Sequence, residues 1–157
     1  ALRAQHASLD HLAIHVSPLK RPRQTLAHIL DAFGAQQVET NVENRLIELN
    51  FGEAEGKTWP ELNKLGIDPE ADPEGYHAWR PESGESYADA TERVRAWLDS
   101  LSGPTLAVAH GGISRILRGL VLGLAVREIP LLRNPQWKFY RLKEGGIEWF
   151  DARKPKA

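Results

Sequence analysis

The chain has 157 residues, 20 basic against 21 acidic side chains and a formal net charge of −1, with no cysteine. That length suits one domain with its own core. The charge balance excludes a broad nucleic-acid or polybasic membrane surface, and the missing cysteine excludes a disulfide scaffold, a thiolate metal site and a cysteine nucleophile. No apolar run reaches the ~20 residues of a membrane span, and no signal peptide opens the sequence, so a cytoplasmic protein is expected. Methionine is absent throughout. Residues 1–157 are therefore expected to be a single domain that is incomplete at its N-terminus.

Residues 11–16 (HLAIHV) alternate Leu12, Ile14 and Val16 with His11, Ala13 and His15, the pattern of a short strand buried on at least one face. Ser17 and Pro18 end it. Pro22 then opens a helix, in which Leu26, Ile29, Leu30 and Phe33 share one face and Gly34 stops the run. Residues 38–49 show no clean alternation, although Leu46, Glu48 and Asn50 would share a strand face. Thr58 and Glu61 form the capping-box pair of a short helix through Leu65. Residues 66–83, punctuated by Pro69, Pro73 and Pro81, read as an excursion loop.

Ser86 and Asp89 open a stronger helix with the stripe Ala90, Val94, Trp97, Leu98 and Leu101. Residues 105–109 (TLAVA) are a continuous apolar strand, suited to the centre of a parallel sheet. His110, Gly111 and Gly112 follow at once. Ile113, Ile116, Leu117 and Leu120 then mark a helix that Gly123 ends. Residues 137–142, a turn at Gly145 and Gly146, and residues 147–150 predict a closing hairpin. Strands alternating with helical patterns indicate an α/β fold with a largely parallel sheet.

Three places carry chemistry. Arg21 lies where a strand ends and a helix begins, the place at which open α/β sheets bind ligands, and a guanidinium there grips phosphate; a solvated basic turn of Lys20, Arg21 and Arg23 is the competing reading. His110 ends an apolar strand, and Gly111 and Gly112 would let a ligand approach the backbone closely. A core histidine beside a plain glycine turn is the alternative. Glu48 stands among Leu46, Ile47, Leu49 and Phe51; a partly desolvated carboxylate is a useful proton donor, while a solvated strand face explains it equally. His6, His11, His15, His28 and His77 have no third ligand at motif spacing, so no metal site is expected.

Taken in this order, SPLKRPRQT (17–25), LIELNFGEAEGKTW (46–59), PESGES (81–86) and TLAVAHGGISRILRGL (105–120) resemble the histidine phosphatase superfamily, in its phosphoglycerate-mutase-like branch. The resemblance implies a three-layer α/β sandwich with a mostly parallel central sheet flanked by helices. It implies phosphoryl transfer through a phosphohistidine, with no metal or other cofactor. Arg21 would then clamp the phosphate, His110 would be the second histidine of the pocket and Glu48 the proton donor to the leaving oxygen. Gly111 would lie against the substrate, Glu85 would line the pocket rim, and residues 53–83 would form the cap that selects the substrate.

One departure stands out. The family's nucleophile is a histidine in an Arg-His-Gly motif on the first strand, and no Arg-His-Gly occurs here. The resemblance therefore implies that this strand is absent from the chain, which alone would be inactive. The short cap favours a phosphatase over a phosphoglycerate mutase. The expected function is hydrolysis of a small phosphomonoester; the rivals are a mutase and a non-catalytic phosphate-binding or interaction module of the same fold. The expected partners are a small phosphorylated metabolite or inorganic phosphate, without nucleic acid or membrane, and the assembly expected, if any, is a homodimer.

Overall fold

The computed structural model describes residues 2–6 and 8–153; Ala1, Ala7 and residues 154–157, and with them the outermost limits of the expected domain, lie outside the described residues. Strand β1 (Ala13–Val16) buries Ile14 and Val16, and it stops before Pro18, which has no N–H to give a ladder. Helix α1 (Lys20–Phe33) follows and closes on Gly34, whose N–H bonds to Asp31 and Leu30 carbonyls. Next come β2 (Asn41–Val42), a 3-10 turn over Asn44–Leu46, α2 (Trp59–Lys64), α3 (Pro73–Ala78), α4 (Tyr87–Asp99), β3 (Thr105–Val108), α5 (Gly111–Leu122), β4 (Lys138–Lys143) and β5 (Gly146–Asp151).

The central sheet is parallel, in the order β2-β1-β3, with Val16 opposite both Val42 and Val108. Its two faces carry different cores. Ile14, Val16 and Val108 pack on Leu9 and on Leu26 of α1. On the other face Val94 and Trp97 of α4 meet Ile113, Ile116 and Leu117 of α5, with Ala107 and Ala109 packed against them. The layers are thus helix, sheet and helices. Each such Leu, Ile or Val contributes ~1.5–3 kcal/mol by leaving water. No helix among the described residues is long and apolar enough to cross a membrane.

The β4–β5 hairpin is antiparallel and forms its own two-stranded sheet. It rests on α5 through Arg118, which is buried. The guanidinium lies 5.6 Å and 5.3 Å from the ring centres of Tyr140 and Trp149. It also donates to the Ser114 and Arg133 carbonyls.

The structure departs from the sequence reading in three places. Residues 46–50 form no strand, because Leu46 and Leu49, three apart, both turn into the core and break the two-residue alternation. Residues 66–83 are not wholly loop: Pro73 opens α3, and Asp72 caps it by accepting from Gly75 N–H at 2.8 Å. The apolar β3, expected at the sheet centre, is an edge strand among the described residues; Thr105, Leu106 and Ala107 are only half-buried.

Candidate functional site

Because the three strands run parallel, their C-terminal ends share one edge, and α1 and α5 both begin there. Ser17 N–H donates to the Val108 carbonyl at 3.0 Å, so β1 and β3 leave the sheet side by side. That register sets Ser17 Oγ 2.8 Å from His110 Nε2. Both residues are buried; Ser17 is 0% exposed and His110 9%. His110 is the cap residue from which α5 starts.

Glu48 reaches the same helix start. Its Oε1 accepts from Gly112 N–H at 3.2 Å and from Leu49 N–H at 3.2 Å, and its Oε2 lies 3.4 Å from the Gly112 nitrogen. A carboxylate there sits in the favourable field of the helix end. The second glycine has a packing reason. A β-carbon on Gly112 would lie 2.7 Å from Glu48 Oε1 and would collide with Leu49 Cδ1. Gly111 has a looser neighbourhood, with Asn134 Nδ2 3.1 Å and Glu48 Oε2 3.9 Å from the corresponding point.

Arg21 occupies the first turn of α1, exposed to solvent, in a turn with no acidic residue and no side-chain cap. Its charge reaches His110. Burial pushes the His110 imidazole below its ordinary range; the Glu48 carboxylate opposes that, and Arg21 and Arg93 reinforce it. That balance favours the neutral imidazole. One edge thus gathers a guanidinium, a neutral imidazole, two helix starts and a carboxylate. Such a set can hold an oxyanion and move a proton to or from a bound oxygen.

Glu85 does something else. Arg93 grips it in a two-pronged bond, Nη2 to Oε1 at 2.6 Å and Nε to Oε2 at 3.0 Å. Glu85 Oε1 also accepts from Asn50 N–H at 3.3 Å, and Arg93 Nη1 donates to the Arg45 carbonyl at 2.6 Å. The pair clamps both ends of the segment that carries Glu48 onto the start of α4. Both Glu85 oxygens face this clamp.

Among the residues expected at the site, the structure brings together His110, Glu48 and Gly111, with Arg21 near enough to act on the imidazole. Sequence reasoning missed Ser17, read there only as a strand end, and Arg93. A polar residue ending a buried strand was the signal for Ser17. Nothing local marked Arg93, whose partners come from other segments. Within residues 53–83, α3 is anchored by Tyr76, whose ring stands 5.8 Å from Tyr87 of α4. Three of the other histidines are engaged elsewhere: His6 stacks on His11, and His15 Nδ1 accepts from Trp97 Nε1 at 3.0 Å. No group of three His, Asp or Glu residues among the described residues is placed to hold a metal ion.

Comparison with known proteins places this geometry. A family model, the histidine phosphatase superfamily (branch 1), matches residues 1–150. The chain is 33% identical over 120 residues to a 2,3-bisphosphoglycerate-dependent phosphoglycerate mutase of Mesorhizobium japonicum, an overlap of 69% of the chain and 55% of that protein. A mutase of the same name from Brucella anthropi is 31% identical over 134 residues, or 78% of the chain and 62% of that protein. The chain therefore spans little more than half the length of these relatives. Among solved structures, Mycobacterial hydrolase 1 superposes with a TM-score of 0.64 at 27% identity, over 78% of the chain and 64% of its own. The α-ribazole phosphatase of Shigella flexneri, at 18% identity, shares the fold with a TM-score of 0.70 over 96% of the chain and 77% of its own. A mycobacterial glucosyl-3-phosphoglycerate phosphatase in complex with inorganic phosphate does so with 0.69 at 24% identity, over 90% of the chain and 75% of its own.

Proposed function

The chain belongs to the histidine phosphatase superfamily, and we propose that its 157 residues carry the phosphate-holding and proton-donating part of a phosphomonoester hydrolase. Relatives that are mutases, and a hydrolase of known structure, support phosphoryl transfer or hydrolysis on a small phosphorylated metabolite. The observation that carries the reading is the meeting of Glu48, His110 and the charge of Arg21 at the start of α5.

In this reaction a histidine nitrogen attacks phosphorus in line, and the bond to the leaving oxygen breaks on the opposite side. Arg21 and His110 hold the equatorial oxygens, where charge spreads in the transition state. Protonated Glu48 gives its proton to the leaving oxygen, which departs as an alcohol. Water then attacks the phosphohistidine while the Glu48 carboxylate takes its proton, and inorganic phosphate leaves with the nitrogen restored. The attacking histidine is that of the Arg-His-Gly motif implied by the family resemblance, which is not among these residues. The cap between Gly52 and Ser83 has only the two short helices α2 and α3, which supports a phosphatase over a mutase that must enclose and turn its product.

A second reading is a phosphate-binding module that transfers nothing. It would keep the half-pocket of Arg21 and His110. The chain assayed alone on p-nitrophenyl phosphate tests both. Turnover is expected to be lower by ~10⁶, the loss that follows removal of a nucleophile, while inorganic phosphate still binds and Arg21→Ala abolishes that binding. Robust hydrolysis abolished by His110→Ala would overturn the assignment and make His110 the nucleophile.

A further inference from the structure

We propose that Asn134 is a further substrate-binding residue, its side-chain amide donating to a phosphate-ester oxygen seated beside Gly111 and Glu48. The inference rests on the phosphate-binding reading of this edge, and it adds a donor from the segment that leads into β4.

The backbone leading to Asn134 is fixed from α5. Arg115 Nε donates to the Leu132 carbonyl at 2.8 Å and Arg118 Nη1 to the Arg133 carbonyl at 2.9 Å. The side chain is fixed as well. Ser114 Oγ donates to Asn134 Oδ1 at 3.0 Å, and Tyr140 OH lies 2.8 Å from Ser114 Oγ. Ser114 has one proton to give. Spending it on Asn134 leaves the Tyr140 hydroxyl as donor, to Ser114 Oγ or to the Ser114 carbonyl at 3.4 Å. With Oδ1 accepting from Ser114, the nitrogen end of the amide faces Gly111. A β-carbon on Gly111 would lie 3.1 Å from Asn134 Nδ2 and 3.9 Å from Glu48 Oε2, so amide and carboxylate flank one point on the α5 start.

A primary amide has two N–H donors. Asn134 Nδ2 has no hydrogen-bond acceptor among the described residues, although the residue is half-buried. The nitrogen is not sealed from solvent, so an oxygen of a bound phosphate ester can take the place of water on an amide already aimed at it. The neutrality of the amide suits its neighbour. A lysine at this place would capture the Glu48 carboxylate in an ion pair, whereas an amide can hold the oxygen on which Glu48 acts and leave that carboxylate free.

The test is a titration of the ¹⁵N-labelled chain with inorganic phosphate, reading the Gly111 amide and the Asn134 side-chain NH₂ pair. Both should shift together and saturate at one concentration. Asn134→Asp keeps the oxygen that accepts from Ser114 and removes the donors; it and Asn134→Ala should each weaken phosphate binding ~10-fold or more, the loss expected for a hydrogen bond to a charged ligand. Melting temperatures of both variants, measured alongside, separate lost binding from lost fold, and the unaltered chain's NH₂ shifts decide the matter without any variant. Binding that moves Gly111 and needs Arg21, yet leaves the Asn134 NH₂ pair still and the variants as tight as the parent, would overturn the role of Asn134 alone. No binding at all by the unaltered chain would overturn the phosphate-site reading and this inference with it.

Discussion

Ser17 Oγ and His110 Nε2 lie 2.8 Å apart in the buried seam where β1 and β3 leave the sheet. The hydroxyl holds one imidazole nitrogen and so sets the direction of the other. Ser17→Ala removes that partner and leaves a buried nitrogen without one, at a cost of ~1–3 kcal/mol. Urea unfolding of the variant should show an earlier midpoint with an unchanged slope, and inorganic phosphate should bind less tightly. An unmoved midpoint would mean that the contact contributes nothing.

The two glycines of α5 should tolerate alanine very differently. A methyl on Gly112 runs into Leu49 Cδ1 and to within 2.7 Å of Glu48 Oε1, whereas on Gly111 the nearest atom is Asn134 Nδ2 at 3.1 Å. Gly112→Ala must therefore displace the segment that carries Glu48, which is overpacking at ~1–3 kcal/mol. Gly111→Ala needs only a small shift of one side chain. Thermal unfolding of the pair should rank them in that order; equal losses would show that the Glu48 segment yields freely.

Stability should fall on mild acidification, and the sign follows from burial. His110 and His77 are both held below the ordinary histidine range, first of all by burial. The unfolded chain binds their protons near pH ~6.5, the folded chain only at lower pH. As pH falls from about 6.5, the unfolded state gains protons that the folded state lacks, so stability declines through that window. Glu43, held down by its bonds from Arg45, and Asp89, held down by those from Ser86, act only below about pH 4.5. Melting temperatures between pH 8 and 5 should decline, and His77→Phe should make the decline shallower. A flat profile would contradict the assignment.

Glu48 and Arg21 are expected to fail in different ways in a form of the protein that hydrolyses phosphate esters. An alkoxide needs a proton as it leaves, so Glu48→Gln should slow an alkyl phosphate by ~10²–10⁴-fold, the range of general acid catalysis. An aryl phosphate whose phenolate leaves unaided should be slowed much less. Arg21→Ala should harm both alike, because it holds the phosphoryl group common to them. Equal losses for Glu48→Gln on the two substrates would leave Glu48 a positioning role.

How far the sequence could be read depended on the range of each interaction. Period and caps are local, so α4 was plain from Ser86, Asp89 and its apolar stripe, and the reciprocal bonds between those two residues are present. The hairpin and α5 were readable for the same reason. Glu48 was ambiguous because its partner, Gly112 N–H, lies 64 positions away. Asp72 and Pro73 did signal a helix start, but six residues are too few to display a helical period. Arg93 and Asn134 were invisible because their meaning is wholly tertiary. The strand over residues 105–109 has the composition of a sheet centre, and the second neighbour which that composition suits is not among the described residues.

That strand has a practical consequence. β3 pairs with β1 along one side, and no ladder partner lies along its other side among the described residues. Its sequence, TLAV, has no charged or proline residue to blunt an open edge. Such an edge is adhesive. At high concentration these 157 residues taken alone can lay their row of unpaired amides and carbonyls against another copy's, and the stock would thicken while each domain remained folded, a hazard that a further strand laid on β3 would remove. Dilution, or a lysine in place of half-buried Leu106, would be the remedy to try before blaming the core.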